Sequence, residues 1–581
     1  MKQHLFSTAV LLLIWSAAAA AQDPAATPSP SATPVVRDRQ EVPPERLVGV
    51  PIIGADFRSD SRELPDLGRV GVDMTDQQAL TLAEAITKAL ENNKDIEITR
   101  KNVRIAEFDL RAARGVYEPR FTGLTQYERS TVPNVSIFSS NRETTQGTLV
   151  GNTSLQGTLP KLGTQFNATF SNQRLTTDNP ISILSPQYNA ALSVGFTQPL
   201  FRGRGFDQPR RTIEIAKRNL SLTDSQFRQK TIEIVTAVQR SYWDLAYALR
   251  NLQVQRDGVR DAKEQLEHNK RLVNEGQLAP IDIVAAETQV ANFELAVYDA
   301  LNIVGIAENN LKNLIAANRY DILWARSLTP IDPVDLDPPL TTLSQAIDTA
   351  MQNRPELEII KAQRDLNAID QRYYKEQTKP QIDLVASYSS SGIGGAENPN
   401  FSPNFPTACT IDPASPACQQ QRANLEALTG SPYGSLLANK YPTFRVGIQF
   451  NLPLLGDKTS KAQYGRSLVE SERLETQREQ LEQIIQVDVR NAMQVMRTAE
   501  ARLRAAAIAR ENSVKQYESE QRKLDNGQSD IYKVLERQTA LTTARSNELR
   551  AQTELNKAIA DLQRATGNSL RANNIEARLR K

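Results

Sequence analysis

The chain has 581 residues, with 69 basic and 67 acidic side chains and a formal net charge of +2. That balance gives no electrostatic reason to expect a nucleic-acid partner. Aromatic residues make up 6% and mean hydropathy is −0.46. This is too little apolar material for one large core, but it suits long amphipathic helices.

Lys2 and His4 precede the apolar run Ala9–Trp15, which is followed by Ser16, five alanines and Gln22. A basic start, a short apolar core and an A-x-A site predict a secretory signal peptide over 1–21. The competing reading, an uncleaved anchor, is disfavoured because spanning takes about 20 apolar residues. No later segment reads as a transmembrane helix, and no cysteine lies near the cleavage site to take a lipid. Residues 22–75 form a Pro-rich leader. Its PAATPSPSATP and VPPER stretches have the composition of extended or disordered chain.

The remainder is duplicated. TLAEAITKAL (81–90) corresponds to TLSQAIDTAM (342–351), and the match continues through Asn92/Asn353 and Asp109/Asp370 to Pro119/Pro380. The first repeat is placed at 76–319, the linker at 320–341, the second repeat at 342–567 and a tail at 568–581. Each proline closes a helical pattern and opens an alternating one, since proline lacks the N–H and disfavours helix before it.

In the first repeat, Phe121–Arg129 alternates only in part. Residues 145–175 offer two further possible strands around the turn Leu159-Pro160-Lys161-Leu162-Gly163. Leu192, Val194 and Phe196 alternate with Ser193, Gly195 and Thr197. A helix over Pro209–Asn274 follows. Val238, Leu245, Leu252, Val259, Leu266 and Val273 recur every seven residues on it, as in coiled-coil packing. Gly276 and Gln277 form a tip, Pro280 opens the next helix, and that helix runs over Ile281–Ala317. The Gly203-Arg204-Gly205 sequence lacks dinucleotide or P-loop spacing and reads as a turn. His268 reads as incidental.

In the second repeat, Ile382, Leu384, Ala386 and Tyr388 alternate with polar neighbours, and Phe444–Leu452 alternates without a slip. Between them lie the only two cysteines, Cys409 and Cys418. In an exported chain a disulfide is expected. The alternative, a metal site, would need further ligands, and the mature chain keeps one histidine. A helix over Thr459–Asn526 carries the second stripe, Val489, Met496, Leu503, Arg510, Tyr517 and Leu524, with Arg510 its one polar member. Gly527 and Gln528 form the second tip, followed by a helix over Asp530–Thr566. Nine- or ten-residue strands with one apolar and one polar face fit a transmembrane barrel, or equally a soluble sandwich. Rods of about 100 Å beside them count against the sandwich. Two to four strands per half cannot close a conducting barrel, so several copies would have to complete it.

These pieces, duplicated and in order over 76–567, resemble the TolC family of bacterial outer-membrane efflux channels. The resemblance rests on LTLAEAITKALENN and LTTLSQAIDTAMQNR, on Pro119 and Pro380, and on Gln198-Pro199-Leu200-Phe201-Arg202-Gly203 and Leu452-Pro453-Leu454-Leu455-Gly456. The two glycine tips, followed by Glu287-Thr288-Gln289 and Gln538-Thr539-Ala540, complete it. It implies a mainly α fold with transmembrane β: duplicated coiled-coil hairpins forming a trimeric α-barrel, with strands pooled into a trimeric outer-membrane β-barrel. It further implies a homotrimer in outer-membrane lipid, its helices in the periplasm, serving as exit duct for an inner-membrane transporter through a periplasmic adaptor. Adaptor docking falls at Gly276, Gln277, Gly527 and Gln528. The periplasmic constriction falls at Asp282, Lys533 and Glu536. Lys533 stands where the family often has an acid, a departure from the usual two acidic rings.

The rival expectation is a pore-less periplasmic coiled-coil adaptor or scaffold, which usually carries one hairpin. No catalytic or metal constellation and no cofactor motif is visible, so no enzyme is expected.

Overall fold

The protein is described by a computed structural model covering residues 67–134, 141–335, 338–402, 406–453 and 457–575. The signal peptide, residues 22–66 of the leader, residues 454–456 and the last six residues of the tail lie outside the described residues.

Each repeat opens on the same local device. Thr81 accepts from the Glu84 amide at 3.2 Å while Glu84 accepts from the Thr81 amide at 3.1 Å; Thr342 and Gln345 do the same at 3.3 and 3.2 Å. Such reciprocal capping satisfies two donors that a helix start leaves open. It launches α1 (Leu82–Asn92) and, after a break at Asn93, α2 (Lys94–Arg114) in the first repeat. The second repeat has α5 (Leu343–Asn353) and α6 (Pro355–Gln377). Just past each Pro119/Pro380 switch the chain enters a strand.

Six strands form one antiparallel sheet in the order β2 (Arg120–Pro133), β3 (Glu143–Thr158), β4 (Gln165–Thr177), β5 (Leu184–Pro199), β7 (Gln381–Glu397), β8 (Tyr441–Asn451). Residues 145–175 therefore do add two strands, and the first repeat contributes four to the second's two. The strands run 11 to 17 residues, longer than the nine or ten expected. The extra length on β7 lies beyond its pairing with β8 and receives a helical insert instead of lipid.

Register fixes the two faces, because residues directly opposite share a side. One pair row runs Phe121, Leu155, Ala168, Val194, Tyr388, Phe444. The same side carries Tyr127, Phe166, Phe170, Leu192, Phe196, Val446, Ile448 and Phe450. The opposite side carries Gln126, Asn167, Thr169, Ser193, Ser387, Arg445 and Gln449. Phe444, Ile448 and Phe450 are each more than 60% exposed in one protomer. Away from the helical insert, whose Tyr433 stacks on Phe170 of this same side, the apolar side is bare, and a sheet with one apolar and one polar face is built to face lipid on one side and water on the other.

The rods are α3 (Gln208–Asn274) with α4 (Ile281–Ile315), and α10 (Lys458–Asp525) with α11 (Ile531–Ala565). At 1.5 Å per residue the longer members reach about 100 Å. The seven-residue stripe is their seam: Val238, Leu245 and Val489 are fully buried and Leu252 and Met496 nearly so. The polar exception, Arg510, crosses to Glu548 on α11 at 2.5 Å. Contrary to the sequence reading, α4 contains a stretch long and apolar enough to cross a membrane, with mean hydropathy 1.3. Part of it packs along α3 through Phe293, Ala300, Val304 and Leu311, while Leu295, Ile303 and Ile306 stay exposed.

The leader's end and the linker, both read as irregular, pair as a second small parallel sheet of β1 (Asp73–Leu80) and β6 (Arg326–Pro330). Glu308 on α4, 1% exposed, holds it in place. One carboxylate oxygen accepts from Arg69 at 2.8 Å and the other from the Leu328 amide at 2.8 Å. Lys312, fully buried, donates to the Trp324 carbonyl at 3.1 Å, and burial pushes its ammonium below the usual range despite Glu308.

A second buried ionic knot joins the start of α6 to the second hairpin. Arg354 reaches Asp488 at 2.7 Å and Glu356 at 2.9 Å, and Arg564 reaches Asp488 at 3.1 Å. Burial raises the Asp488 carboxyl, but hydrogen bonds from the two guanidinium groups outweigh it and leave the pKa lowered. The stabilisation is thus present at neutral pH and lost as pH falls through the depressed value. Asp488→Ala leaves Arg354, only 8% exposed, short of a partner. It should cost about 2 kcal/mol, the scale of a hydrogen bond to a charged group, read as a lowered denaturation midpoint in detergent.

Candidate functional site

Both hairpin tips are closed by the same backbone geometry. The Gly276 amide donates to Val273 at 3.0 Å and Gln277 to Leu272 at 2.8 Å; Gly527 donates to Leu524 at 2.9 Å and Gln528 to Lys523 at 2.8 Å. The glycines take φ of +77° and +67°, which side chains with a Cβ resist. The tips differ in how the outgoing helix starts. Asp282 reaches back to the Ala279 amide at 3.0 Å, whereas Asp530 caps α11 by accepting from the Lys533 amide at 3.0 Å.

Lys533 and Glu536 lie one turn apart on α11, and Asp282 lies at the start of α4. Asp282 is engaged at its own helix start. Lys533 pairs with Asp530 at 3.0 Å, and that contact raises the lysine pKa. Glu536 is exposed and, among the described residues, makes no ion pair. It lines a groove of about 970 Å³ with Ala285 and Gln289 of α4, Ala505 of α10, and Tyr532 and Ala540 of α11. Alanines make this groove, because without longer side chains neighbouring helices leave space between them. Gln289 donates to Thr539 across it at 2.7 Å.

Sequence reasoning missed the apolar side chains bared at the tips: Ile281 is 69%, Val284 53% and Tyr532 74% exposed. Their signal was available, since Ile281 and Val284 sit one turn apart outside the seven-residue stripe. It also missed Asp530 and Glu520 as local charge partners. Glu520 accepts from Ser529 and Lys523, which lowers its pKa. His268 lies 3.3 Å from Asp525 on the other hairpin.

At the far end of the strands, Cys409 on α7 (Ala408–Ile411) is disulfide-bonded to Cys418 on α8 (Pro416–Leu428). With α9 (Pro432–Leu437) they form an insert between β7 and β8. The Gly430 amide donates to Gly395 at 2.8 Å and Ser390 to the Leu436 carbonyl at 3.0 Å. A Cβ at Gly392 would stand 2.0 Å from the Pro432 carbonyl, so glycine is what lets the insert lie on β7.

A sheet with one lipid-type face, joined to paired helical rods, defines a membrane channel protomer with a long extramembrane stem. The outer membrane efflux protein family model matches residues 156–317 and 346–568, and the chain belongs to that family. No curated protein matches the sequence. Three solved channels share the fold. The outer-membrane channel OprN is 13% identical, with 88% of this chain and 99% of that one covered at a TM-score of 0.57. The CmeC outer membrane channel of Campylobacter jejuni is 14% identical, with 84% and 86% covered at 0.57. The open-state MtrE outer membrane channel of Neisseria gonorrhoeae is 15% identical, with 84% and 89% covered at 0.55. The protein is an outer membrane efflux protein, with the fold of outer-membrane channels. Nothing supports the pore-less alternative.

The Asp530 cap yields a first test of the tip. Hydrogen bonds from the Lys533 backbone and side chain hold its carboxyl below the usual range, so the cap acts at neutral pH and fades on strong acidification. Asp530→Ala removes about 1 kcal/mol of cap. Exchange of the Lys533 amide should quicken about fivefold, while the Gly276 tip stays unchanged.

Proposed function

We propose that three copies of the chain assemble into one conduit, that the helical tips form its periplasmic gate, and that a periplasmic adaptor linked to an inner-membrane transporter docks there. The chain acts as a duct and carries out no chemistry on its cargo; the transporter chooses what enters.

The observation that carries the trimer is the pair of edges, β2 and β8, that find no strand partner among the described residues, on a sheet whose apolar side bares Phe121, Phe444, Ile448 and Phe450. Backbone groups on such edges have no water to turn to in lipid, so a second copy must supply their partners. Docking at the tips is supported by Ile281 and Val284, apolar side chains bared where α4 starts, onto which another helix can lay its apolar side.

The gate reading rests on Glu536. Three carboxylates brought together at converging tips attract cations and repel anions. Lys533 is drawn to Asp530, which leaves the Glu536 charge uncompensated within its own chain.

Single cysteines introduced pairwise along Arg120–Pro133 and Tyr441–Asn451 should, on oxidation in native membranes, give dimer and trimer ladders. Absence of any ladder at every register would exclude edge pairing between copies. In planar bilayers Glu536→Ala should reduce cation preference severalfold. Unchanged preference and conductance would remove Glu536 from the gate. Val284→Ser should weaken adaptor binding about tenfold without altering conductance, the scale of one interface anchor.

A further inference from the structure

The two repeats differ most in what they place between their strands. In the second repeat, β7 follows α6, β8 precedes α10, and the stretch between them holds the disulfide-closed helical insert. In the first repeat, β2 follows α2 and β5 precedes α3 at the corresponding places, and the stretch between them is the hairpin β3–β4. That hairpin is hydrogen-bonded on both sides, β3 to β2 and β4 to β5, so it parts two strands that would otherwise be neighbours.

The hairpin has the same two-faced character as the strands that flank it. Leu155, Ala168 and Phe170 continue the apolar side, and Gln156, Asn167, Thr169 and Ser171 continue the polar side. Hairpins that merely cap a sheet from above have no reason to keep this alternation down to their last residue. Here it extends to Phe166, opposite Phe196 and next to the turn that faces the rods.

We propose that the hairpin is part of the membrane wall, so that the trimer closes an eighteen-stranded barrel, where two strands per repeat would close one of twelve. The inference rests on the trimeric reading above. The register supports a barrel of this kind. The row that starts at Phe121, one residue inside the end of β2, arrives at Phe444, seven residues inside the end of β8. Six positions of slip over five strand steps, at about 3.3 Å rise and 4.8 Å spacing, tilt the strands by about 40°, within the range of closed barrels. With that tilt, eighteen strands give a wall about 36 Å across between backbones, and twelve give about 24 Å. Barrels of eighteen strands enclose an aqueous channel instead of a side-chain core. The outer-membrane section is therefore too wide to be the size filter. Cargo size is limited below it, in the helical stem, and the outlet accepts a polypeptide segment as readily as a small molecule.

The test is accessibility of single cysteines in the full-length chain in native outer membranes, probed with a small charged thiol reagent without reductant. Thr169→Cys and Ser171→Cys should be modified from the lumen, and Phe166→Cys and Ala168→Cys, on the other side and clear of the insert residue Tyr433 that stacks on Phe170, protected by lipid, at least tenfold slower. Ser387→Cys and Ala386→Cys on β7 serve as the reference pair. Alternation on β7 without alternation on β4 overturns the proposal and leaves the channel reading intact. Loss of alternation on both strands overturns the membrane reading itself. Averaged end-on images of assemblies in nanodiscs add an independent readout: a wall about 36 Å across supports the proposal and one of about 24 Å refutes it.

Discussion

Backbone amides and carbonyls at the edge of a sheet must find partners, and in hydrocarbon there is no water to provide them. That constraint governs the whole molecule. Among the described residues its sheet ends in two open edges, β2 and β8, yet one face is apolar, with Phe121, Phe444, Ile448 and Phe450 bare. A single copy placed in lipid would leave two rows of polar groups unpaired. Sharing the wall among copies removes the edges, and the requirement that identical subunits close a ring sets the position of everything attached to the strands.

The rods follow from this arrangement. Each repeat delivers one long hairpin from the sheet, so a ring of sheets becomes a ring of rods. Helices in such a wall face water on two sides and neighbours on two others. Their apolar residues are accordingly confined to narrow stripes such as Val238, Leu245 and Leu252. The remaining contacts between hairpins are polar. Lys557 meets Asp244 at 2.8 Å, Arg240 meets Asp561 at 2.5 Å, and Gln255 meets Ser546 at 3.1 Å. Exposed pairs of this kind add little stability.

Much of the architecture was legible in the sequence because it depends on periodicity. A seven-residue stripe and a glycine recurring at one shift define two rods, and strict alternation at Phe444–Leu452 defines a strand. The strands of the first repeat were harder to read. Phe121–Arg129 interleaves Gly123 and Thr125 on its apolar side, and β3 presents Gly151 and Thr153 there, so hydropathy does not rise and fall cleanly. The small β1–β6 sheet was hidden for another reason. Five residues of β6 pair in parallel with a segment some 250 positions earlier, and what holds them is the side chain of Glu308, a tertiary contact that leaves no local pattern. At the tips the glycines were readable from φ requirements, whereas the pairing of Lys533 with Asp530 rather than Glu536 depends on side-chain reach across one helical turn.

In a wall shared among copies, β2 and β8 have partners outside their own chain. Hydrogen–deuterium exchange on the intact protein in nanodiscs measures this directly, amide by amide. The outward-facing amides of β2 and β8 should then be as slow to exchange as those of β4, which is paired on both sides within the chain. Amides on β2 and β8 that exchange orders of magnitude faster than those of β4 would contradict it.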